Sequence, residues 1–369
     1  MASRALPPDT LVLGTRDSAL ALWQAHTVLA WLQTQLAPHQ NVLLKTTKTL
    51  GDLILDRPFH AFDPLTMQRA GGATGGVFVK ELEHYLLSDV PETRITLAVH
   101  SMKDVPSRPA PATFVIPFGA REDVRDVWVF PKTTALERFS EGHTLAQLPS
   151  GTRVGSSGLR RVAQVLAQRS DVTCVPIRGN VQTRLNKLDA GEADVLLLAM
   201  AGLKRLGLYP SHERLMIPAC PEAELVPAPA QGMLALQGNV EDAAWVLPLC
   251  ASSCEPQTFT QVWIERTMLE KIEGGCQTPL GVHATPIPCG VEAPEAYQPW
   301  RVRVFYAPPL REGETMLCYT HQKVTWQSFE LKLPRLSETL SLSAWLETLA
   351  PYRETAFESI LQRVLHVSS

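Results

Sequence analysis

The sequence has no CxxC pair and an odd number of cysteines, seven, which argues against both a disulfide framework and a tetrahedral zinc site. Reduced thiols in a cytoplasmic protein are the expectation. Long apolar runs are also missing: the longest, 195–203, falls far short of the ~18 residues that suggest a membrane span. Near the N-terminus Arg16 and Asp17 interrupt the only apolar stretch, so a signal-peptide core is lacking and export by that route is not expected. Charge of one sign is in short supply too. With a net charge of −3 the chain offers no bulk attraction to nucleic acid or anionic lipid, and any anion site must be local. GxGxxG and Walker A spacings are absent, which makes a nucleotide a poor first candidate for that anion. No internal repeat is visible, and because no exposed apolar helix or heptad seam stands out, a monomer is the default.

What is present is ordinary globular material, with 45% hydrophobic and 19% charged residues over 369 positions, enough for two or three domains. Between Leu11 and about Leu215, short apolar runs alternate with amphipathic stretches, the pattern of α/β layers. The runs at 11–13, 42–46, 95–99, 127–130, 153–154, 173–176 and 195–199 predict strands. Helices are predicted at 19–35, 79–88, 158–170, 183–190 and 200–206. Segments 118–126 (charged) and 218–231 (four prolines) read as connectors. A helix from about Thr258, β-rich stretches at 301–306, 316–325 and 328–333, and a helix at 342–364 predict a smaller α+β domain.

Open α/β sheets bind ligands at the carboxyl ends of their strands, so the residues just after the strands matter most. Gly14–Ser18 ends the first strand and opens a helix, bringing Arg16, Ser18 and free backbone N–H groups together. An N-cap beside a solvated arginine is the ordinary alternative. After the strand at 95–99 come His100, Ser101, Met102, Lys103, Asp104, Val105 and Pro106, and Pro106 forces the chain out of the sheet. Asp104 and Lys103 are either a surface pair or a carboxylate and an ammonium aimed into a cleft. Val154–Arg161 places Ser156, Ser157, Arg160 and Arg161 at another helix start, and Arg178 and Arg184 straddle a turn into the next. Arg205 ends a further helix. These six arginines follow strand ends in a net-acidic chain, and arginine suits planar, bidentate recognition of carboxylates. The inferred ligand is a small molecule with several carboxylates. Cys276, after Gly274 and Gly275, is either a buried inert thiol or an attachment point; no His/Asn partner marks it as a hydrolytic nucleophile.

Taken together, GTRDSALALWQ, TLGD at 49–52, FVKELE at 78–83, LAVHSMKDVP, GSSGLRR, RGNVQTRLNKLD, AGLKRLG and EGGCQTPLG resemble the porphobilinogen deaminase (hydroxymethylbilane synthase) family, in the family's order, over about Leu11 to Ala284. The resemblance implies two doubly wound α/β domains like those of periplasmic binding proteins plus a smaller α+β C-terminal domain. The implied boundaries are 10–119 with 229–246, 125–222, and 251–369. It implies a transferase that condenses four porphobilinogen molecules head to tail, releasing ammonia, onto a dipyrromethane cofactor joined to Cys276 by a thioether, and then hydrolyses off hydroxymethylbilane. Asp104 matches the catalytic aspartate. Ser101, Lys103, Ser156, Ser157, Arg160, Arg161 and Arg184 match cofactor-holding positions; Arg16, Ser18, Arg178 and Arg205 match substrate-holding positions, with Gln24 nearby. No metal, nucleic acid or membrane is implied.

Four departures stand out. Gly75 replaces a lysine after an enlarged 59–76 segment, read here as a lid over the cleft in which Arg69 is a candidate substitute. Gly158 replaces a serine, Pro229–Ala230–Gln231–Gly232 replaces VGQG, and Gln237 replaces a glutamate. They leave open a second reading, a non-catalytic carboxylate- or tetrapyrrole-binding protein of the same two-lobed fold.

Overall fold

The computed structural model describes residues 8–47, 79–132, 141–272, 278–288, 296–308, 319, 324–337 and 341–366. Thr49–Asp52, the 59–76 segment with Arg69 and Gly75, Phe78 and the Gly274–Cys276 loop lie outside the described residues, as does most of the strand expected at 316–325.

The first domain is a five-stranded sheet built from β1 (Thr10–Arg16), β2 (Asn41–Thr47), β3 (Leu97–Ser101), β4 (Thr113–Phe118) and β10 (Leu234–Asn239), in the order β2-β1-β3-β10-β4. β1 runs parallel to β2 and β3, whereas β10 is antiparallel to both of its neighbours. The second sheet comprises β5 (Asp126–Val129), β6 (Arg153–Gly155), β7 (Thr173–Val175), β8 (Val195–Ala199) and β9 (Met216–Pro218), in the order β7-β6-β8-β5-β9. Here too three strands are parallel, and the antiparallel strand, β5, occupies the slot that β10 fills in the first sheet. The sequence shows no repeat, yet the two sheets share one plan. In each, the antiparallel strand is the one fed by a crossover from the other domain.

Among the described residues the helices are α1 (Ala19–Gln35), α2 (Lys80–Leu86), α3 (Thr144–Gln147), α4 (Leu159–Gln168), α5 (Val181–Asp189), α6 (Met200–Arg205), α7 (Ala243–Cys250), α8 (Pro256–Lys271), α9 (Leu342–Leu349) and α10 (Tyr352–His366). α1 starts where expected because Ser18 caps it, accepting from Ala21 N at 3.4 Å. Asn180 caps α5 in the same way, accepting from Thr183 N at 2.9 Å. The single helix expected at 342–364 is two helices, because Pro351 has no N–H to continue the ladder of α9 and starts α10 instead. Three strands of the sheet domains escaped prediction. β4 contains Pro117, which an edge strand tolerates because its outer side makes no ladder bonds; β9 is a three-residue edge strand; β10 carries the polar Gln237 in its middle. The third domain contributes β11 (Leu280–Pro286), also not predicted, β12 (Tyr297–Tyr306) and β13 (Thr325–Pro334), an antiparallel sheet covered by α8, α9 and α10.

Leu11, Leu13, Leu97 and Val99 from the first sheet and Val28 and Leu32 from α1 belong to one apolar core that continues through Ile264 and Met268 of α8 into Val302 and Leu331 of the third sheet. Domains one and three are therefore packed as one body of apolar side chains. The second domain has cores of its own on the two faces of its sheet. At the junction Glu265 of α8 is wholly buried and accepts from Arg121 Nη1 and Nη2 at 3.0 and 2.7 Å and from the backbone N–H groups of Ala230 and Ala284. Arg121 also donates to Gln231 O at 3.0 Å, so one ion pair holds both crossovers against the third domain. Gly232 has φ of +89°, and a Cβ there would stand 2.2 Å from Glu122 O. The two crossovers touch too closely at this point for any larger residue.

Candidate active site between the two sheet domains

β1 and β3 end side by side, and the polar residues that follow them line a recess of about 60 Å³ whose walls include Arg16, Ser18, Gln24, His100, Ser101 and Asp104. Gln24 is buried on α1 and donates from Nε2 to Ser101 Oγ at 2.9 Å, which fixes the end of β3 against the helix. After Ser101 one 3₁₀ turn, Met102–Asp104, buries Met102 in the core, and the turn carries Lys103 and Asp104 at the end of the strand. Ser18 thus serves as the N-cap and as part of the recess; its two readings are compatible.

Cationic side chains of the second domain come within electrostatic reach of Lys103 and Asp104. Ser156 and Ser157 follow β6, where Ser156 Oγ accepts from Gly158 N at 3.3 Å and Ser157 donates to Ile177 O at 3.0 Å. Arg184 donates from Nε to Gly179 O at 2.8 Å, and Gly179 supplies the φ of +114° that turns the chain beneath it. Arg178 is 6% exposed. Arg205 is buried at the end of α6, donates from Nη2 to Gly232 O at 2.6 Å, and lies 5.7 Å from the centre of the Trp23 ring on α1. It therefore spans from the second domain to the crossover and to the first domain.

The two domains are electrically joined. Lys103 donates to Gln231 Oε1 at 3.2 Å, and Gln231 donates from Nε2 to Asp126 Oδ1 at 2.9 Å. Asp126, 0% exposed, accepts from Arg160 Nη2 at 2.7 Å and from Arg161 Nε and Nη2 at 3.1 and 2.8 Å. Burial would raise this carboxyl, but Arg160 and Arg161 outweigh it and hold it well below the usual carboxylate range. The same arginines also donate to Val226 O and Leu197 O. In sequence Asp126 reads as the last residue of a charged connector; in the structure it is the first residue of β5 and the counter-ion of the arginine pair. A carboxylate opening an apolar strand, Asp-Val-Trp-Val, was the signal for it.

Positive charge outweighs negative in this cleft. Burial lowers Lys103 to about 8, with Asp104 opposing that shift and Arg161 adding to it. Arg184 is lowered to about 10 by burial, then by Arg161 and Arg178, against a smaller contribution from Asp104. Cations from both domains thus repel one another, and Asp104 and Asp126 are among the carboxylates that offset them. Such a donor set fits a ligand carrying several carboxylates, which would relieve the repulsion that burial has built in. It fits a dipyrromethane bearing acidic arms.

Comparisons with known proteins agree with this chemistry. The family model described as "Porphobilinogen deaminase, dipyromethane cofactor binding domain" matches residues 11–246, and that of the "Porphobilinogen deaminase, C-terminal domain" matches residues 259–288. Porphobilinogen deaminase of Syntrophotalea carbinolica is 42% identical over 277 residues, covering 75% of this chain and 79% of that protein. The Nitratidesulfovibrio vulgaris (strain DP4) protein of the same name is 40% identical over 274 residues, covering 74% and 78%, and that of Chromobacterium violaceum is 41% identical over 277 residues, covering 75% and 80%. On both grounds, the chain belongs to the porphobilinogen deaminase family.

Proposed function

We propose that this chain condenses four porphobilinogen molecules head to tail, with loss of ammonia, and releases hydroxymethylbilane by hydrolysis. The observation that carries the reading is the meeting of Asp104 with Lys103 and Arg184, one carboxylate held among cations contributed by two domains. Loss of ammonia from porphobilinogen breaks the aminomethyl C–N bond and leaves a cationic azafulvene. Asp104 lines the recess, where a carboxylate can accept a pyrrole N–H and offset that positive charge. Arg16, Ser18, Gln24, Arg178 and Arg205 hold the acetate and propionate arms of the incoming ring and of the growing chain. Each added ring brings two more carboxylates, which accounts for the number of arginines.

Ser101, Lys103, Ser156, Ser157, Arg160, Arg161 and Arg184 hold the dipyrromethane, which supplies the pyrrole end on which the product begins. Arg160 and Arg161 do so with guanidinium groups already oriented by Asp126. Cys276 carries the group by a thioether. The domain boundaries are those implied by the resemblance: 10–119 with 229–246, 125–222, and 251–369. The enzyme works as a cytoplasmic monomer, with no nucleic-acid or membrane partner; no helix among the described residues is long and apolar enough to cross a membrane.

Intact mass spectrometry tests the assignment. The purified protein is expected to carry a covalent increment of two pyrrole units that Cys276→Ser abolishes, with further stepwise increments on adding porphobilinogen. An unmodified chain that never gains mass from porphobilinogen would overturn the reading.

A further inference from the structure

One polar side chain in the wall of the recess has no role in the mechanism above. His100 is 5% exposed and lies between Val99 and Ser101 on β3, beside Arg16, Gln24 and Asp104. β3 pairs with β10 so that His100 stands opposite Ala235 and Ala98 opposite Gln237, which puts His100 and Gln237 on the same face of the sheet as diagonal neighbours. Gln237 is wholly buried, and its amide nitrogen donates to Glu83 Oε1 and to Thr113 Oγ1, each at 2.9 Å. Both of its N–H groups are thereby committed. Behind them the network is closed: Glu83 Oε1 also accepts from Ala110 N at 2.9 Å, and Thr113 donates to Ala110 O at 2.7 Å.

Two buried atoms are left over on the near side. Among the described residues neither Gln237 Oε1 nor His100 Nε2 finds a hydrogen-bond partner of ordinary geometry, although the Gln237 side chain favours the protonated imidazole. A buried hydrogen bond left unmade is costly, so the two groups are natural partners. Burial holds His100 down at about 4, Gln237 opposes that shift and Arg16 reinforces it, so the ring is neutral near pH 7. A neutral imidazole has one N–H and one bare nitrogen. Gln237 has only a carbonyl oxygen left to offer, and that oxygen can be met only by the N–H.

We propose that Gln237 is a positioning residue that fixes the tautomer of His100, so that the other ring nitrogen serves the recess as an uncharged hydrogen-bond acceptor for the pyrrole N–H or the aminomethyl group of the substrate. The proposal rests on the function assigned above. It gives the pocket a second acceptor without a second anion, and it keeps a second cation away from Arg16 and from the site where the azafulvene forms. Among the described residues, the charged groups around the imidazole are Arg16 from β1, Asp104 from the 3₁₀ turn and, behind Gln237, Glu83 from α2.

The test uses the full-length holoenzyme labelled with 15N-histidine, the His100 signals being those lost in His100→Phe. At pH 7 the parent is expected to show one protonated and one bare nitrogen at His100, and the bare resonance should shift when porphobilinogen binds. Gln237→Leu removes the tautomer preference and should raise KM about tenfold, one hydrogen bond's worth, with kcat nearly unchanged. Gln237→Glu should bring the His100 titration back toward 6.5 and give kcat/KM an acid limb that the parent lacks. A His100 signal indifferent to substrate, or a Gln237→Glu pH profile superimposable on the parent's, would overturn the proposal. Failure of the parent to consume porphobilinogen would instead refute the assigned function, and the tautomer, read without turnover, would still decide for or against the His100–Gln237 pairing.

Discussion

Gln231 donates to Asp126 Oδ1 at 2.9 Å, tying the returning crossover to the first residue of β5. Through Gln231 the same carboxylate is linked to Lys103 in the first domain, and directly to Arg160 and Arg161 in the second. The link between the domains is therefore polar and buried, and its members stand or fall together.

Asp126→Asn should unmask this dependence. It leaves two buried guanidinium groups without a counter-charge, and breaking a buried pair from one side costs about 3–5 kcal/mol. A lower urea midpoint is the expected readout. Because the Asp126 carboxyl is depressed in the fold, its stabilisation is complete above the ordinary carboxylate range and fades only as pH falls through the depressed value. The difference between parent and variant should therefore be flat from about pH 5 to 8.

Lys103 carries the opposite signature. Its folded pKa of about 8 lies below the ordinary 10.5, so the cost of burying the ammonium is fully present below pH 8 and is relieved as pH rises from there toward 10.5. Carboxylate binding needs the charged form and should weaken over that window. Porphobilinogen turnover is expected to show a basic limb near 8, displaced upward by more than a unit in Lys103→Arg; coincident profiles would remove Lys103 from the binding machinery.

Asp104→Asn preserves shape and removes charge. Turnover should fall by about a hundredfold or more, in the range seen when a group stabilising transition-state charge is lost. The covalent mass increment should persist, which separates catalysis from cofactor attachment. Rates within twofold of the parent would sink the catalytic assignment.

Gly158→Ser addresses one of the sequence departures. Gly158 is the N-cap of α4, has ordinary extended φ and ψ, and a Cβ there would meet only Ser156 Oγ, at 3.9 Å. Nothing in the fold requires glycine. A serine should fit and cap the helix, gaining a few tenths of a kcal/mol. Thermal denaturation should show a small rise in midpoint; a clear fall would mean that the open space at 158 is needed.

Much of the site could be read from the sequence because strand ends and helix starts carry local signals. Ser18 announces its helix as a cap, and Arg16, Lys103, Asp104, Arg160, Arg161 and Arg178 all lie where an α/β sheet places ligand-binding groups. Asp126, Gln237 and His100 were missed in their present roles because their meaning is long-range. Asp126 serves arginines 34 and 35 residues away, and Gln237 bonds Glu83 across 154 residues. Pairing at such separation leaves no periodicity to detect. The same is true of β10, whose polar centre looks like loop until Glu83 and Thr113 stand beside it.

The position of β10 between β3 and β4 bears on how the chain matures during synthesis. The second sheet is encoded without interruption from β5 to β9, so it can close while later residues are still being made. The first sheet cannot: its β3 and β4 have no common neighbour until Leu234–Asn239 has left the ribosome. The domain that begins the chain is thus finished after the one inserted into it. A nascent chain stopped before residue 234 would expose two unpaired strand edges, which are ready templates for aggregation.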